Sequence, residues 1–275
     1  MPLSIATLPP LRQVATRDGA EIAYADYGGP ATRGTAMLVH GLGAGALQFA
    51  RDAEALAVEG YRVLVPDLRG HGASRSPSVP REAGHFAIPV MADDLLAVLA
   101  DAGAGPVHWV GNSLGGILGL HLLAARPDVF ASFAMFGTSP RLDLPVLAAT
   151  GIPLLYRLLG QRLLAGTTAW GTTRAPEGRV VVARLLADFD PMVGEAIARN
   201  VRRYDLLGAA LAHEGRMLIL RGGRDRGVNR ALDPCLRALQ QKPRLSLVRL
   251  PEAGHCGNLD GPERFRAELL AFWQA

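Results

Sequence analysis

The sequence predicts an α/β protein built on a parallel sheet wound by crossover helices, interrupted about halfway by a helical insertion. Short aliphatic runs alternate with amphipathic stretches up to Phe136 and again from Met217 onward, the rhythm of strands joined by crossover helices. From Thr138 to about Asp205 no convincing strand pattern occurs, and proline and glycine break up a series of helical pieces. The 275 residues suit one large domain, or one domain with a substantial insertion, at ~150 residues per domain.

A hairpin comes first. Leu11 to Thr16 and Glu21 to Tyr27 flank Asp18-Gly19, a two-residue turn signal. Ala36 to His40, Arg62 to Pro66, Val107 to Asn112 and Ala131 to Phe136 then read as buried parallel strands, each a short aliphatic run that ends in polar residues or glycine. Helices are expected near Leu47 to Glu59, Pro89 to Ala102 and Ser113 to Ala125. The insertion follows, punctuated by Pro145, Pro153, Gly160, Gly166, Gly171, Pro176, Pro191 and Gly194. Strand Met217 to Arg221, a helix near Asn229 to Leu239, strand Leu245 to Leu250 and a last helix Pro262 to Trp273 complete the chain.

Composition narrows the function classes. With 49% hydrophobic and 20% charged residues, the chain is an ordinary globular protein. Its net charge of +4 is dispersed, with Arg202-Arg203 the only adjacent pair and aromatics at 6%, so nucleic acid is not the expected partner. Two cysteines, Cys235 and Cys256, are too few for a disulfide framework. Met1 to Leu11 lacks the pattern of a signal peptide, and no stretch reaches the ~18 apolar residues of a membrane span. The expectation is a cytoplasmic monomer or homodimer whose partner is a small molecule and not a membrane.

One constellation carries chemistry. Gly111-Asn112-Ser113-Leu114-Gly115 matches Gly-x-Ser-x-Gly, in which the glycines let a strand turn sharply into a helix and leave the serine hydroxyl exposed. With 32 glycines and eight serines in the chain, chance alone supplies about 0.1 such matches, so the context decides. A strand, Val107 to Val110, precedes the motif and a helical run, Leu114 to Leu123, follows it. A serine needs a general base and an acid to orient that base. His255 lies in the small-residue loop Glu252 to Gly257 after the last strand, and Asp225 lies in Arg221-Gly222-Gly223-Arg224-Asp225 after the strand before it. Loops at the carboxyl ends of parallel strands share one edge, which brings Ser113, Asp225 and His255 to one crevice. Asp143 competes for the acid's place from the loop after Phe136. The oxyanion of a tetrahedral intermediate would be met by the backbone N–H of Leu114, at a helix start, and of Leu42, in the loop His40-Gly41-Leu42-Gly43. The His40 side chain is expected to tie that loop down.

These residues, together with Asp67-Leu68-Arg69-Gly70-His71-Gly72-Ala73-Ser74 and Ala253-Gly254-His255, resemble the α/β-hydrolase superfamily from about Gln13 to Trp273. The resemblance implies a mostly parallel eight-stranded sheet, a core domain of residues 1–137 and 206–275, and a helical cap of residues 138–205 over the active site. The order Ser113, Asp225, His255 is the superfamily's, and Asp67 and His71 fall in a loop that is scaffold there. Epoxide hydrolases and haloalkane dehalogenases of the superfamily use aspartate where this chain has Ser113. Leu114 departs from the methionine frequent in cofactor-free haloperoxidases. Carboxylic-ester hydrolysis through an acyl-enzyme, on an ester, lactone or thioester and with no metal or organic cofactor, is the leading expectation. Asn112 is shared with carbon–carbon bond hydrolases acting on ring-cleavage products, which makes that reaction the alternative. A ligand-sensing receptor that retains a triad for binding is the alternative of another class.

Substrate contacts are expected from Asn112, Gly41, Tyr156 and Trp170. Leu142, Leu144, Val146, Leu147, Ile152, Leu154, Leu155, Leu158 and Leu159 suggest a lipophilic pocket or simple packing of the cap. Among Arg157, Arg162, Arg174, Arg179 and Arg184, one is a candidate for binding a substrate carboxylate.

Overall fold

Alternation along each strand sorts its side chains onto two faces, and two helical layers cover them. In the computed structural model, which describes residues 7–29, 32–77, 83–146 and 152–275, the strands are β1 (Leu11–Ala15), β2 (Glu21–Tyr27), β3 (Thr35–Val39), β4 (Arg62–Pro66), β5 (Val107–Asn112), β6 (Phe130–Phe136), the short β7 (Arg141–Asp143) and β8 (Arg203–Asp205), β9 (Met217–Gly222) and β10 (Leu245–Leu250). Eight of them form one sheet in the order β1-β2-β4-β3-β5-β6-β9-β10. The hairpin β1-β2 and the pair β2-β4 are antiparallel; every other pairing in the sheet is parallel. All eight strands expected from the sequence are present.

The helices are α1 (Ala50–Val58), α2 (Ile88–Asp101), α3 (Leu114–Ala125), α4 (Ile152–Leu159), α5 (Gln161–Thr172), α6 (Pro176–Ala187), α7 (Pro191–Val201), α8 (Leu207–Ala212), α9 (Arg226–Leu239), α10 (Gly257–Asp260) and α11 (Pro262–Gln274). On β3, Ala36 and Leu38 pack with Leu56 of α1 and Phe265, Leu269 and Trp273 of α11. Met37 and Val39 face the other way, into a cluster with Leu95 and Val98 of α2, Leu118 and Leu122 of α3 and Leu232 of α9. Each such side chain removed from water contributes about 1.5–3 kcal/mol. Helix α3 is buried nearly all round, from Leu114 to Leu123, because it is wedged against β5, β6, α2 and α8.

The insertion is not strand-free, as the sequence suggested. β7 and β8 pair antiparallel, Leu142 opposite Tyr204, and so join the two ends of the insertion in a small ribbon. Three-residue strands are too short to display an alternation. Of the insertion residues singled out from the sequence, Leu147 lies outside the described residues, as do the side chains of Ile152, Leu154 and Arg157. No helix of the described residues is long and apolar enough to cross a membrane.

β3 has β4 on one side and β5 on the other. The connections leaving β3 and β5 therefore diverge, and a crevice opens at their carboxyl ends. His40 to Gly43 and Ser113 lie there.

Candidate active site

β5 ends at Asn112 and α3 begins at Leu114, so Ser113 alone makes the turn between them. It has φ 48° and ψ −112°, a left-handed conformation that costs a non-glycine residue about 1–3 kcal/mol. The surrounding glycines permit the turn by allowing backbones to touch. A Cβ at Gly111 would fall 2.5 Å from the backbone of Gly115, and one at Gly115 would fall 2.2 Å from the Val39 carbonyl. The Ser113 N–H donates to the Phe136 carbonyl at 3.0 Å, and Gly115 N–H to the His40 carbonyl at 3.1 Å. Strain at the serine is thus held by three neighbouring strands.

Asp225 caps α9, and its Oδ2 accepts from His255 Nδ1 at 2.9 Å. With Nδ1 donating, the imidazole lone pair sits on Nε2, as a general base requires. Asp143, the competing acid, lies on β7 with its side chain 69% exposed and faces Arg203 at 3.8 Å. The structure joins Asp225, and not Asp143, to the histidine. Asn112 ties the histidine loop to the serine turn. Its Nδ2 donates to the His255 carbonyl at 3.1 Å and to the Phe136 carbonyl at 3.3 Å.

The loop after β3 is held by histidines that burial keeps neutral. Gly43 N–H donates to His71 Nε2 at 3.0 Å, and His71 Nδ1 donates to the Arg69 carbonyl. His40 Nε2 accepts from Leu68 N–H at 2.9 Å while its Nδ1 donates to the Gly41 carbonyl. Desolvation lowers His71 to about 3 and His40 to about 4. Asp67 adds two more ties, from Ala46 N–H and Ala73 N–H. The expected scaffold roles of His40, Asp67 and His71 have this physical form. Neither the Leu42 nor the Leu114 amide donates to a partner among the described residues, and both stand at the edge where Ser113 turns.

A cavity of about 50 Å³ borders His255, with Gly41, Leu42 and Asn112 in its wall. The insertion closes it from above with Thr168 and Thr172 of α5 and Val182, Leu185 and Leu186 of α6. Residues 37–175 match the alpha/beta hydrolase fold family, which is half of the chain. The chain belongs to that family. It is 41% identical over 105 residues to a pimeloyl-acyl-carrier-protein methyl ester esterase of Chromobacterium violaceum, covering 38% of this chain and 37% of that protein. Several curated relatives are matched over only about a third of their length in this way. A 2-hydroxy-6-oxononadienedioate/2-hydroxy-6-oxononatrienedioate hydrolase of Burkholderia vietnamiensis is 26% identical over 93% of this chain and 92% of its own. Among solved structures, a hydrolase from Pseudomonas aeruginosa superposes with a TM-score of 0.83 at 25% identity, covering 96% of this chain and 98% of that one.

In this α/β-hydrolase the sequence-level substrate contacts divide. Gly41 and Asn112 reach the cavity, although the Asn112 amide is fully engaged: its Oδ1 accepts from Gln48 Nε2 at 3.0 Å. Trp170 does not reach it. The indole is 63% exposed, with the Arg179 guanidinium 3.5 Å over its ring. Tyr156 is half-buried on α4 and is absent from the cavity wall, because α4 packs against α5 and α7. Leu144, Val146, Leu155, Leu158 and Leu159 are exposed, and these five do not line the cavity. Arg162, Arg174, Arg179 and Arg184 do not border it either.

Sequence reasoning missed Gln48, whose setting comes from Asn112 and Asn258, and Thr168, Thr172, Leu185 and Leu186, which lie on helices whose facing depends on how the insertion docks. It also missed Asp260. That carboxylate accepts from Thr173 Oγ1, Arg174 N–H and Ala175 N–H on Oδ1, and from Gly254 N–H on Oδ2. One side chain thus joins the link between α5 and α6 to the loop that carries His255. No group of three or more His, Cys, Asp or Glu side chains among the described residues is arranged to hold a metal ion.

Proposed function

We propose that this α/β-hydrolase is a serine hydrolase that cleaves a carboxylic ester, lactone or thioester of a small, lipophilic substrate, with residues 138–205 acting as its cap. The observation that carries the reading is the Asp225–His255 hydrogen bond, set at the same sheet edge as a serine held in a strained strand-to-helix turn. Ser113 Oγ attacks the acyl carbon as His255 Nε2 takes its proton, and the Leu42 and Leu114 amides receive the negative charge that develops on the carbonyl oxygen. The carbon–oxygen or carbon–sulfur bond to the leaving group breaks as Nε2 returns the proton to it. Water then attacks the acyl-enzyme, giving a proton to Nε2; Ser113 Oγ departs with that proton and the acid is released. No step calls on a metal or an organic cofactor. The apolar cavity wall from Leu42, Val182, Leu185 and Leu186 supports a short aliphatic acyl group.

Ser113→Ala is expected to lower turnover of p-nitrophenyl esters by about four orders of magnitude or more; unchanged turnover would overturn the mechanism. A second reading, hydrolysis of a carbon–carbon bond in a ring-cleavage-type diketone, is favoured by Asn112 before the nucleophile and by the whole-length similarity to the Burkholderia vietnamiensis hydrolase. Rapid turnover of short esters with no consumption of such a dienol would remove it.

A further inference from the structure

Gln48 stands between two cavities. On one side is the space at His255; on the other a cleft of about 300 Å³ lies between the start of α1, the start of α6 and α10, and Gln48 borders both. The side chain is 2% exposed, and its neighbours dictate which way its amide points. Asn112 Nδ2 donates to two backbone carbonyls, so Asn112 presents Oδ1 to Gln48. Asn258 Nδ2 donates to the Gln48 carbonyl and to Asp52 Oδ2, so Asn258 presents Oδ1 as well. Gln48 Nε2 donates to both, at 3.0 and 3.2 Å. A flipped amide would set oxygen against oxygen twice. Oε1 is the atom left over, buried and accepting no hydrogen bond among the described residues. Such an acceptor is costly until a donor reaches it.

The cleft is chemically distinctive. Leu47, Val180, Val181 and Leu259 give it apolar walls, while its charges are already engaged. Arg51 meets Glu177 at 2.5 Å, Asp52 holds Asn258 and Arg266, and Asp260 holds the four donors described above. The cleft is one side chain away from the cavity that His255 borders, because Gln48 lines both and its Nε2 donates to Asn112, whose Nδ2 holds the His255 carbonyl.

We propose that this cleft receives the leaving-group half of the substrate, that Gln48 is the partition displaced to admit it, and that Gln48 Oε1 then accepts a hydrogen bond from it. The half so bound is uncharged, with an apolar body and one hydroxyl or amide N–H. The proposal rests on the serine hydrolase reading.

Three esters of one short acid test it: methyl, hexyl and 6-hydroxyhexyl. The native protein is expected to prefer the hydroxyhexyl over the hexyl ester in kcat/KM, and Gln48→Leu, of similar bulk without an acceptor, to shrink that preference about tenfold. Val180→Trp, on the exposed wall of the cleft, is expected to lower both long esters about tenfold relative to the methyl ester. Gln48→Leu also strips a donor from Asn112 and Asn258, so if it does not fold, Val180→Trp decides alone. An unchanged long-to-methyl ratio in Val180→Trp, or an unchanged hydroxyhexyl-to-hexyl ratio in a folded Gln48→Leu, would overturn the proposal. Methyl-ester turnover surviving in Ser113→Ala would instead overturn the serine mechanism, so the two failures are told apart.

Discussion

At His255 the choice of acid is a choice between two strand ends. Asp225 stands three residues beyond Gly222, the end of β9, in a glycine turn that aims it back at the crevice, whereas Asp143 is itself part of a ribbon and points to solvent. Asp225→Asn is therefore expected to lower kcat for a p-nitrophenyl ester by about 10⁴, through loss of the orienting hydrogen bond and the wrong imidazole tautomer. Asp143→Asn should leave kcat within about twofold, in line with the small effect of most exposed substitutions. The reverse pattern in steady-state kinetics would reassign the acid. The positions of Ser113, Asp225 and His255 at one sheet edge were legible because each follows a strand whose aliphatic run is unambiguous. Gln48 was not: its importance comes from Asn112 and Asn258, 64 and 210 residues away. Trp170 misled, since an aromatic residue in an apolar segment reads as pocket or core until Arg179 is seen covering it.

At the level of elements, Asp260 ties the insertion to the loop that carries His255. Its carboxylate collects donors from Thr173, Arg174 and Ala175 on one oxygen and Gly254 on the other, and Cys256 N–H adds a bond to the Thr172 carbonyl at 3.0 Å. Hydrogen bonds to a charged acceptor are about twice as strong as neutral ones. Asp260→Ala is expected to raise amide hydrogen exchange at both Arg174–Ala175 and Gly254 and to lower kcat by about tenfold or more, as misplaced catalytic groups do. Exchange that rises on one side alone, with kcat intact, would mean that the two elements are not coupled. None of this was visible in the sequence, where Asp260 is one acidic residue before Gly261-Pro262. The ribbon β7-β8 escaped notice for a related reason, since strands this short are defined by their partner.

For the whole molecule, the parallel strands and crossover helices followed from periodicity and the eight-stranded sheet from the family resemblance, while the docking of the insertion depended on contacts distant in sequence. The same burial that builds the core sets a pH dependence. His40, His71 and His108 are held at about 4, 3 and 4 by desolvation, below the ~6.5 of an unfolded histidine. The stability they contribute is present above pH ~6.5 and is lost as pH falls from there through their folded values. His108, stacked on Trp273 at 4.9 Å and away from the crevice, isolates the effect. Melting curves of His108→Phe should depend less on pH between about 6.5 and 4 than those of the native protein; equal slopes would show that this histidine is not buried in its neutral form. An architecture that activates one serine is tested most directly by covalent labelling. Treatment with a phosphonofluoridate, followed by peptide mass mapping, should find a single phosphonyl ester on Ser113, formed with loss of fluoride and formed far more slowly in His255→Ala. Inhibition of esterase activity with the adduct on another residue, or ester turnover that persists while Ser113 is fully labelled, would contradict it.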